Sequence, residues 1–577
     1  MEKRWVLKSE GDPLKVENLA HLLDARDDES SRAVYKLVSK LLVQRGITYY
    51  HEAKKFFRPE LTHLHDPFAM KDMDLAIDRI VKAINDKEKI LIYGDYDVDG
   101  TTAVATVYSF FKRHHDWVNF YLPDRYKEGY GISFAGIDWA FENNYTLIIA
   151  LDCGIKSVDK VEYAKAKGIE FIICDHHIPG DQLPAAAAVL DPKRLDCTYP
   201  YKELTGCGIG FKLIQAFADT HSIPFSEIEC YLDLCAVSIA SDIVPVTGEN
   251  RILAHYGMER LNSNPREGFK AILALANVKR KISLTDVVFM IGPRINAAGR
   301  IEDAKRSVEL LIAENEEDAM HAGAGIDKLN QTRKEKDSSI TEQALQLILD
   351  DTEHKDRKTT VLFNPDWHKG VIGIVASRLT EHYYRPTIVL TQSDGKITGS
   401  ARSVKDFDLY AALEQCGDLL EQFGGHKYAA GLTMKPERID EFKERFDTVV
   451  SGVIEERMLT QEIEVDAELR LEDITFPFLR IIQQFAPFGP NNMAPVFLTR
   501  GVTSRNNPKV VGEKHLKLFV EQPDSPSFDA IAFQQAGQLQ HTGFGKQFDI
   551  CYTIEENEWN GNVTLQLNIK DIKPSQA

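Results

Sequence analysis

Ile90-Leu-Ile-Tyr-Gly-Asp95-Tyr-Asp97-Val-Asp99-Gly100 is the stretch on which the fold turns. An apolar run reads as a buried strand, and three carboxylates alternate directly behind it. Two similar runs follow, Leu147-Ile-Ile-Ala-Leu-Asp152 and Phe171-Ile-Ile-Cys-Asp175-His176-His177. Further apolar runs lie at Val118–Leu122 and Ala187–Leu190, with helical segments between most of them. That alternation predicts α/β architecture, a doubly wound parallel sheet. Strand-end carboxylates then converge on one edge of the sheet. So much like charge in one place is costly unless a cation sits there, so the chain reads as a divalent-metal enzyme.

Each acidic group also has a plainer reading. Asp95-Tyr-Asp97-Val-Asp99-Gly100 resembles the start of an EF-hand calcium loop, but the twelfth position, which should be Glu, is Thr106. Asp is favoured as a helix cap, yet three alternating ones exceed what a cap requires. Asp152 before Cys153-Gly154 could be a turn residue. Asp233 lies in an apolar helix, Leu232-Asp-Leu-Cys-Ala-Val, where it either pairs with an Arg or backbone group or joins the metal ligands; with three acidic clusters nearby, ligation is the favoured reading. Histidine is both a metal ligand and a proton donor near neutral pH, which gives His176 and His177 chemical roles. Mixed carboxylate and imidazole donors suit manganese or magnesium better than zinc. Two such ions about 3.5–4 Å apart would hold the attacking and leaving oxygens of a phosphoryl transfer.

Working outward, 577 residues exceed one hydrophobic core. We expect a helical region over 1–70, a catalytic parallel-sheet domain over 71–260, a helical connector over 261–350, a smaller α/β domain over 351–456 and a small antiparallel β-barrel over 457–577. No apolar stretch approaches the ~20 residues of a membrane span, and the charged start lacks a signal-peptide core. The eight cysteines form no Cys-x-x-Cys pair and several sit in apolar runs, as expected for a cytoplasmic protein. The net charge of −18 argues against a nucleic-acid partner, but only as a global sum that leaves room for a cationic groove.

Asp175-His176-His177, with Asp95-Tyr-Asp97-Val-Asp99-Gly before it and Asp233 after, resembles the DHH phosphoesterase superfamily. Gly424-Gly-His426-Lys-Tyr-Ala-Ala-Gly431 resembles the signature of the DHHA1 domain. Gly399-Ser400-Ala-Arg402-Ser, His368-Lys-Gly-Val-Ile-Gly, Pro293-Arg294-Ile-Asn-Ala-Ala-Gly299-Arg300 and the tail Phe485-Ala-Pro-Phe-Gly-Pro-Asn-Asn-Met-Ala-Pro-Val-Phe extend the likeness. The resemblance is strongest to members that degrade single-stranded DNA from the 5′ end to 5′-mononucleotides with Mn2+ or Mg2+. It implies Asp97, Asp99, Asp152, His176 and Asp233 as ligands of two ions, with Asp97, Asp152 and His176 central to catalysis. His177 would assist the scissile phosphate or leaving oxygen. Smaller members carry a His where this chain has Tyr93, so Asp95 either replaces that ligand or buttresses the site. Arg125, Ser400 and Arg402 would grip the 5′ phosphate, and Arg294, Gly424, Gly425 and His426 would complete the substrate site. The last domain resembles an OB-fold, whose Lys509, Lys514 and Lys517 are candidates for binding single strands. A monomer acting on single-stranded DNA, with a single-strand-binding protein and a helicase as partners, follows by analogy. Competing readings are a phosphodiesterase of short oligonucleotides or cyclic dinucleotides, and a non-catalytic DNA-binding scaffold.

Overall fold

The apolar runs are consecutive members of one five-stranded parallel sheet. Its order is Val118–Tyr121, Ile90–Gly94, Leu147–Leu151, Glu170–Cys174, Ala188–Leu190. Every residue of Ile90–Gly94 and Leu147–Leu151 is buried, because helices cover both faces and leave no polar side to the strand. Met73–Asn85, Val98–Lys112 and Gly206–Thr220 pack on one face through residues such as Met73, Ile77, Ile80, Val104 and Phe211. Phe134–Glu142 and Val158–Ala166 contribute Ile137, Ala140, Val161 and Ala164 to the core of the other face. The strands therefore end on a common edge, where the acidic groups were expected. The computed structural model describes residues 2–24, 29–351, 357–543, 545–559 and 561–575.

Helices continue from Gly248 to the 35-residue helix Glu316–Asp350. That helix packs near its start against Gly292–Ile301 and Glu267–Leu275, which fall in the expected connector span yet share the core of the parallel-sheet domain through Phe269, Ile272 and Ile295, and further along against Ile372–Tyr383 of the next domain. The expected boundary at 351 directly precedes residues 352–356, which lie outside the described residues. The smaller α/β domain holds a five-stranded sheet in the order Gln422–His426, Ala429–Met434, Lys396–Arg402, Thr387–Ser393, Thr360–Phe363. Its pairs are antiparallel except the last, which is parallel. The glycine signature forms a hairpin, with Gly424 opposite Gly431 and Gly425 opposite Ala430. It is not the helix-opening loop that anion binding by backbone amides commonly uses.

The C-terminal sheet has seven strands. Phe497–Ser504 pairs along Gln547–Trp559 and again, through Thr503 and Ser504, with His515–Glu521, so the sheet curls back on itself. The N-terminal segment belongs with this part of the molecule. Leu19, Val38, Leu41, Leu42 and Ala53 share the core of Phe478, Phe485, Phe497 and Tyr552. Arg4–Leu7, expected as part of a helical region, is a strand running parallel to Glu462–Val465.

Candidate metal centre and facing arginines

Asp97 caps the helix Val98–Lys112, its Oδ1 accepting from the Gly100 amide at 3.0 Å. Asp99 sits in the first turn of that helix and is buried. It accepts from the amides of Gly206 at 2.6 Å and Cys207 at 2.8 Å and from the Ser238 hydroxyl at 2.7 Å. These donors fix a charged side chain that packing alone would expel. Asp95 is fully buried and accepts a long bond from the Gly131 amide at 3.4 Å. Tyr93 turns away, its hydroxyl donating to the Gly131 carbonyl at 3.1 Å.

Asp152 leaves its strand with a positive φ of 60°, conformational strain of a kind that concentrates at functional sites. Gly206 makes this possible: a Cβ there would lie 2.5 Å from the Asp152 Cβ. His176 Nε2 lies 3.2 Å from Asp152, 3.7 Å from Asp99 and 3.7 Å from Asp242. Two overlapping groups, Asp152 with His176 and His177, and Asp99 with His176 and Asp242, each place their donor atoms within 4.8 Å of one another. Asp175 organises the pair of histidines. Its Oδ1 accepts from the amides of His176 and His177 and from His177 Nδ1 at 2.7 Å, and its Oδ2 accepts from the Ile155 amide at 2.9 Å.

The electrostatics follow from burial. Desolvation, reinforced by neighbouring carboxylates, raises Asp95, Asp97, Asp152 and Asp242 above the usual carboxylate range. Burial lowers His176. Burial also opposes the charge on His177 and on Asp175, but their mutual hydrogen bond wins, lifting His177 to about 9 and holding Asp175 at about 2. The Asp95 Oδ2 and Asp152 Oδ1 oxygens are buried without a hydrogen-bond partner among the described residues. Unsatisfied buried carboxylate oxygens beside imidazole donors are what a manganese or magnesium ion requires, so the residues present fit the metal.

Asp233 is a correction. It is fully buried and bound by Arg266, whose Nη2 lies 2.7 Å from Oδ1 and whose Nε reaches both oxygens. The apolar helix Leu232–Ser241 carries it to the wrong end: nine residues further on, about 13 Å along a helix axis, Asp242 faces His176. Sequence reasoning missed Asp242. Its signal was an Asp at the end of an apolar element, in Ala240-Ser-Asp242-Ile-Val-Pro, the same placement that marked the other carboxylates.

Opposite the acids stands a cluster of arginines. Arg402 donates to Ser400 Oγ at 3.0 Å and Ser377 Oγ at 3.1 Å. Arg125 lies over the Tyr96 ring at 4.9 Å. Arg300, quoted in its motif but not singled out, donates to the Gly370 carbonyl at 3.1 Å. Burial and the charges of Arg125, Arg402 and Arg333 push Arg300 down to about 9, and burial with Arg125 lowers Arg402. Among the described residues none of Arg125, Arg300 and Arg402 forms an ion pair, so together they offer an anion site. Close packing joins this site to the acidic one. A Cβ on Gly299 would lie 2.8 Å from the Tyr96 carbonyl, and one on Gly370 would lie 2.1 Å from the Arg300 carbonyl. His426, on the exposed hairpin, is lowered by burial and by the charges of Arg402 and His177. Gly424 and Gly425 lie on that hairpin. Arg294 is a second correction: it pairs with Asp327 at 2.9 Å on the long helix and donates to the Met290 carbonyl.

The chain is similar to known proteins across its main domains. Family models match residues 89–239 (DHH family, N-terminal domain), 356–452 (DHHA1 domain) and 465–571 (RecJ OB domain). The single-stranded-DNA-specific exonuclease RecJ of Bacillus subtilis is 37% identical over 545 residues, 94% of this chain and 68% of the relative. The Escherichia coli exonuclease of the same name is 33% identical over 560 residues, 93% of this chain and 96% of the relative. The crystal structure of RecJ in complex with Mn2+ from Thermus thermophilus superposes with a TM-score of 0.83 at 25% identity, covering all of this chain and 80% of that one. By sequence, domain order and fold, the chain belongs to the RecJ family.

Proposed function

We infer that the chain is a metal-dependent exonuclease that hydrolyses single-stranded DNA, working from the 5′ end and releasing 5′-mononucleotides. One observation carries the reading: a buried group of carboxylates and His176 lies close to arginines that, among the described residues, have no carboxylate partner. A phosphodiester backbone, with cations beneath it and guanidiniums around its end, satisfies both. The family relatives named above act on the same substrate class.

In this reading Asp97, Asp99, Asp152, His176 and Asp242 would hold two Mn2+ or Mg2+ ions, and the buried Asp95 would support the site. When bound, the ions neutralise the phosphate and lower the pKa of a coordinated water. The chain's own residues do the rest. Asp175 keeps His177 protonated and oriented, so the imidazolium can donate to the phosphate or to the departing 3′ oxygen. Arg402, steadied by Ser400 and Ser377, grips the terminal phosphate with Arg125 and Arg300, which sets the direction of digestion. His426 closes the end of the cleft. Preference for an unpaired strand is steric, arising between the catalytic and DHHA1 domains.

Digestion of 5′- and 3′-labelled single and double strands with Mn2+, Mg2+ or chelator tests this. Labelled mononucleotide should appear at once from the 5′ label and last from the 3′ label, only on single strands and only with metal. Release first from the 3′ label, or release in chelator, refutes the assignment.

A further inference from the structure

The tail motif Phe485-Ala-Pro-Phe-Gly-Pro-Asn-Asn-Met has no part in the reading above, yet it meets the catalytic domain at a buried arginine. Arg251 is 4% exposed and lies on the helix Gly248–Ser263, nine residues beyond Asp242. Its guanidinium donates to the carbonyls of Phe56, Gln484, Phe485 and Ala486 at 2.8–3.2 Å and more weakly to Pro487 at 3.4 Å. It stacks 3.8 Å over the Phe56 ring. Among the described residues it forms no ion pair. A buried cation answered only by carbonyls is costly and is kept where its planar fork organises several backbone strands at once. The same joint includes a bond from the Val246 amide to the Pro490 carbonyl at 2.8 Å, and Gly489, where a Cβ would lie 2.4 Å from Val246. Asn492 locks the loop from inside, donating to Phe485 and Pro487, and Arg45 holds Asn492 at 3.0 Å.

The loop so held forms one wall of a groove of about 1280 Å³ between the catalytic and C-terminal domains. Its lining includes Ile243, which follows Asp242 in sequence, with Phe289 and Met493; these three are 67%, 77% and 62% exposed respectively. Exposed apolar side chains in a groove that adjoins an acidic centre at Ile243 suit the bases of an unpaired strand. Resting on the exonuclease reading, we propose that Arg251 is a positioning residue for the strand. It fixes the C-terminal domain over the catalytic domain, so that the groove keeps one width and delivers the nucleotides behind the scissile link in register.

The test compares two substrates in the full-length protein with saturating Mn2+. One is a 5′-phosphorylated dinucleotide, too short to enter the groove. The other is a 5′-phosphorylated strand of about 20 nucleotides, longer than the ~4–16 that an OB-fold covers. Arg251→Met should lower the ratio of kcat/KM for the long strand to that for the dinucleotide by about tenfold. Arg251→Lys should recover part of that ratio. Phe289→Ser and Met493→Ser alter mainly exposed side chains and remove little buried packing; each should lower the same ratio, about threefold or more. A loss of folded protein would lower both substrates equally and leave the ratio unmoved. An unmoved ratio in all the variants overturns the proposal while leaving the exonuclease reading intact. A wild-type chain inactive on both substrates overturns that reading instead.

Discussion

Two aspartates of one helix region make opposite demands, and exchanging them separates structure from metal binding. In Asp233→Ala the buried Arg266 guanidinium loses the carboxylate it contacts at 2.7 Å. Removing one partner of a buried pair costs about 3–5 kcal/mol, because the remaining charge stays desolvated. A change of that size shifts an unfolding midpoint by on the order of 10 °C in a domain of this class. Asp242→Asn does the reverse: it removes one of several repelling carboxylates around His176, so the metal-free protein should hold or gain stability. Its loss appears with metal. At Mn2+ one hundred times Kd, binding stabilises the native chain by about 2.7 kcal/mol. If Asn weakens binding about 100-fold, only about 0.4 kcal/mol remains. Thermal unfolding of both variants with and without Mn2+, alongside hydrolysis of a labelled single strand, reads both quantities. Asp233→Ala should melt early yet keep its Mn2+ shift; Asp242→Asn should melt normally and lose the shift and the activity. The opposite pattern, an Mn2+ shift lost with Asp233 and kept without Asp242, would refute the placement of the ligands.

Three further outcomes follow from the same geometry. Because Asp95, Asp97, Asp152 and Asp242 are raised in the fold, the folded chain binds more protons than the unfolded one. Metal-free stability should therefore fall as pH rises above the ordinary carboxylate range, and Mn2+ binding should release protons, measurable by calorimetry in buffers of different ionisation enthalpy; binding without proton release would contradict the raised carboxyls. Arg402→Ala should remove a charge-assisted phosphate contact of about 1.5–3 kcal/mol, weakening the preference for 5′-phosphate over 5′-hydroxyl ends by tenfold or more; equal kcat/KM ratios in variant and wild type would remove Arg402 from that role. Gly206→Ala places a methyl 2.5 Å from the Asp152 Cβ and should lower turnover by at least about tenfold through a displaced carboxylate, an overpacking cost of about 1–3 kcal/mol; undiminished turnover would show that Asp152 need not stand where it does.

The sequence made the parallel sheet legible because helices cover both of its faces. Ile90–Gly94 and Leu147–Leu151 need no polar side, so they stand out as unbroken apolar runs ending in acids. Asp97, Asp99, Asp152 and His176 could be read for the same reason, each lying one or a few residues past a strand. Asp233 could not be sorted from Asp242 by pattern alone. A buried Asp in an apolar helix looks the same whether its partner is an ion or Arg266, which is 33 positions away in sequence and adjacent only in space. Arg294 and Arg300 pose the same problem within one motif: six residues apart, one faces Asp327 and the other the cleft. The strand Arg4–Leu7 was hidden because its partner, Glu462–Val465, is supplied by the far end of the chain. The glycines at 424–431 entered the substrate site by resemblance alone, but glycine in a strand can also mark close backbone approach, and Gly425 in the hairpin has φ of 148° with no room for a Cβ beside Ala429 and Ala430.

The helix Glu316–Asp350 works as a ruler between the halves of the cleft. At 35 residues it measures about 52 Å, and one inserted residue would lengthen it by about 1.5 Å while turning its far end by about 100°. The rod cannot be retuned gradually: any single insertion swings the half that carries Arg402 out of phase with the half that carries Arg125, Arg300 and the acids. The shortest change that restores the facing direction to within about 20° is roughly two full turns, seven residues, and it does so about 10 Å too far away. Drift in such a chain should accumulate in loops and spare the length of this rod.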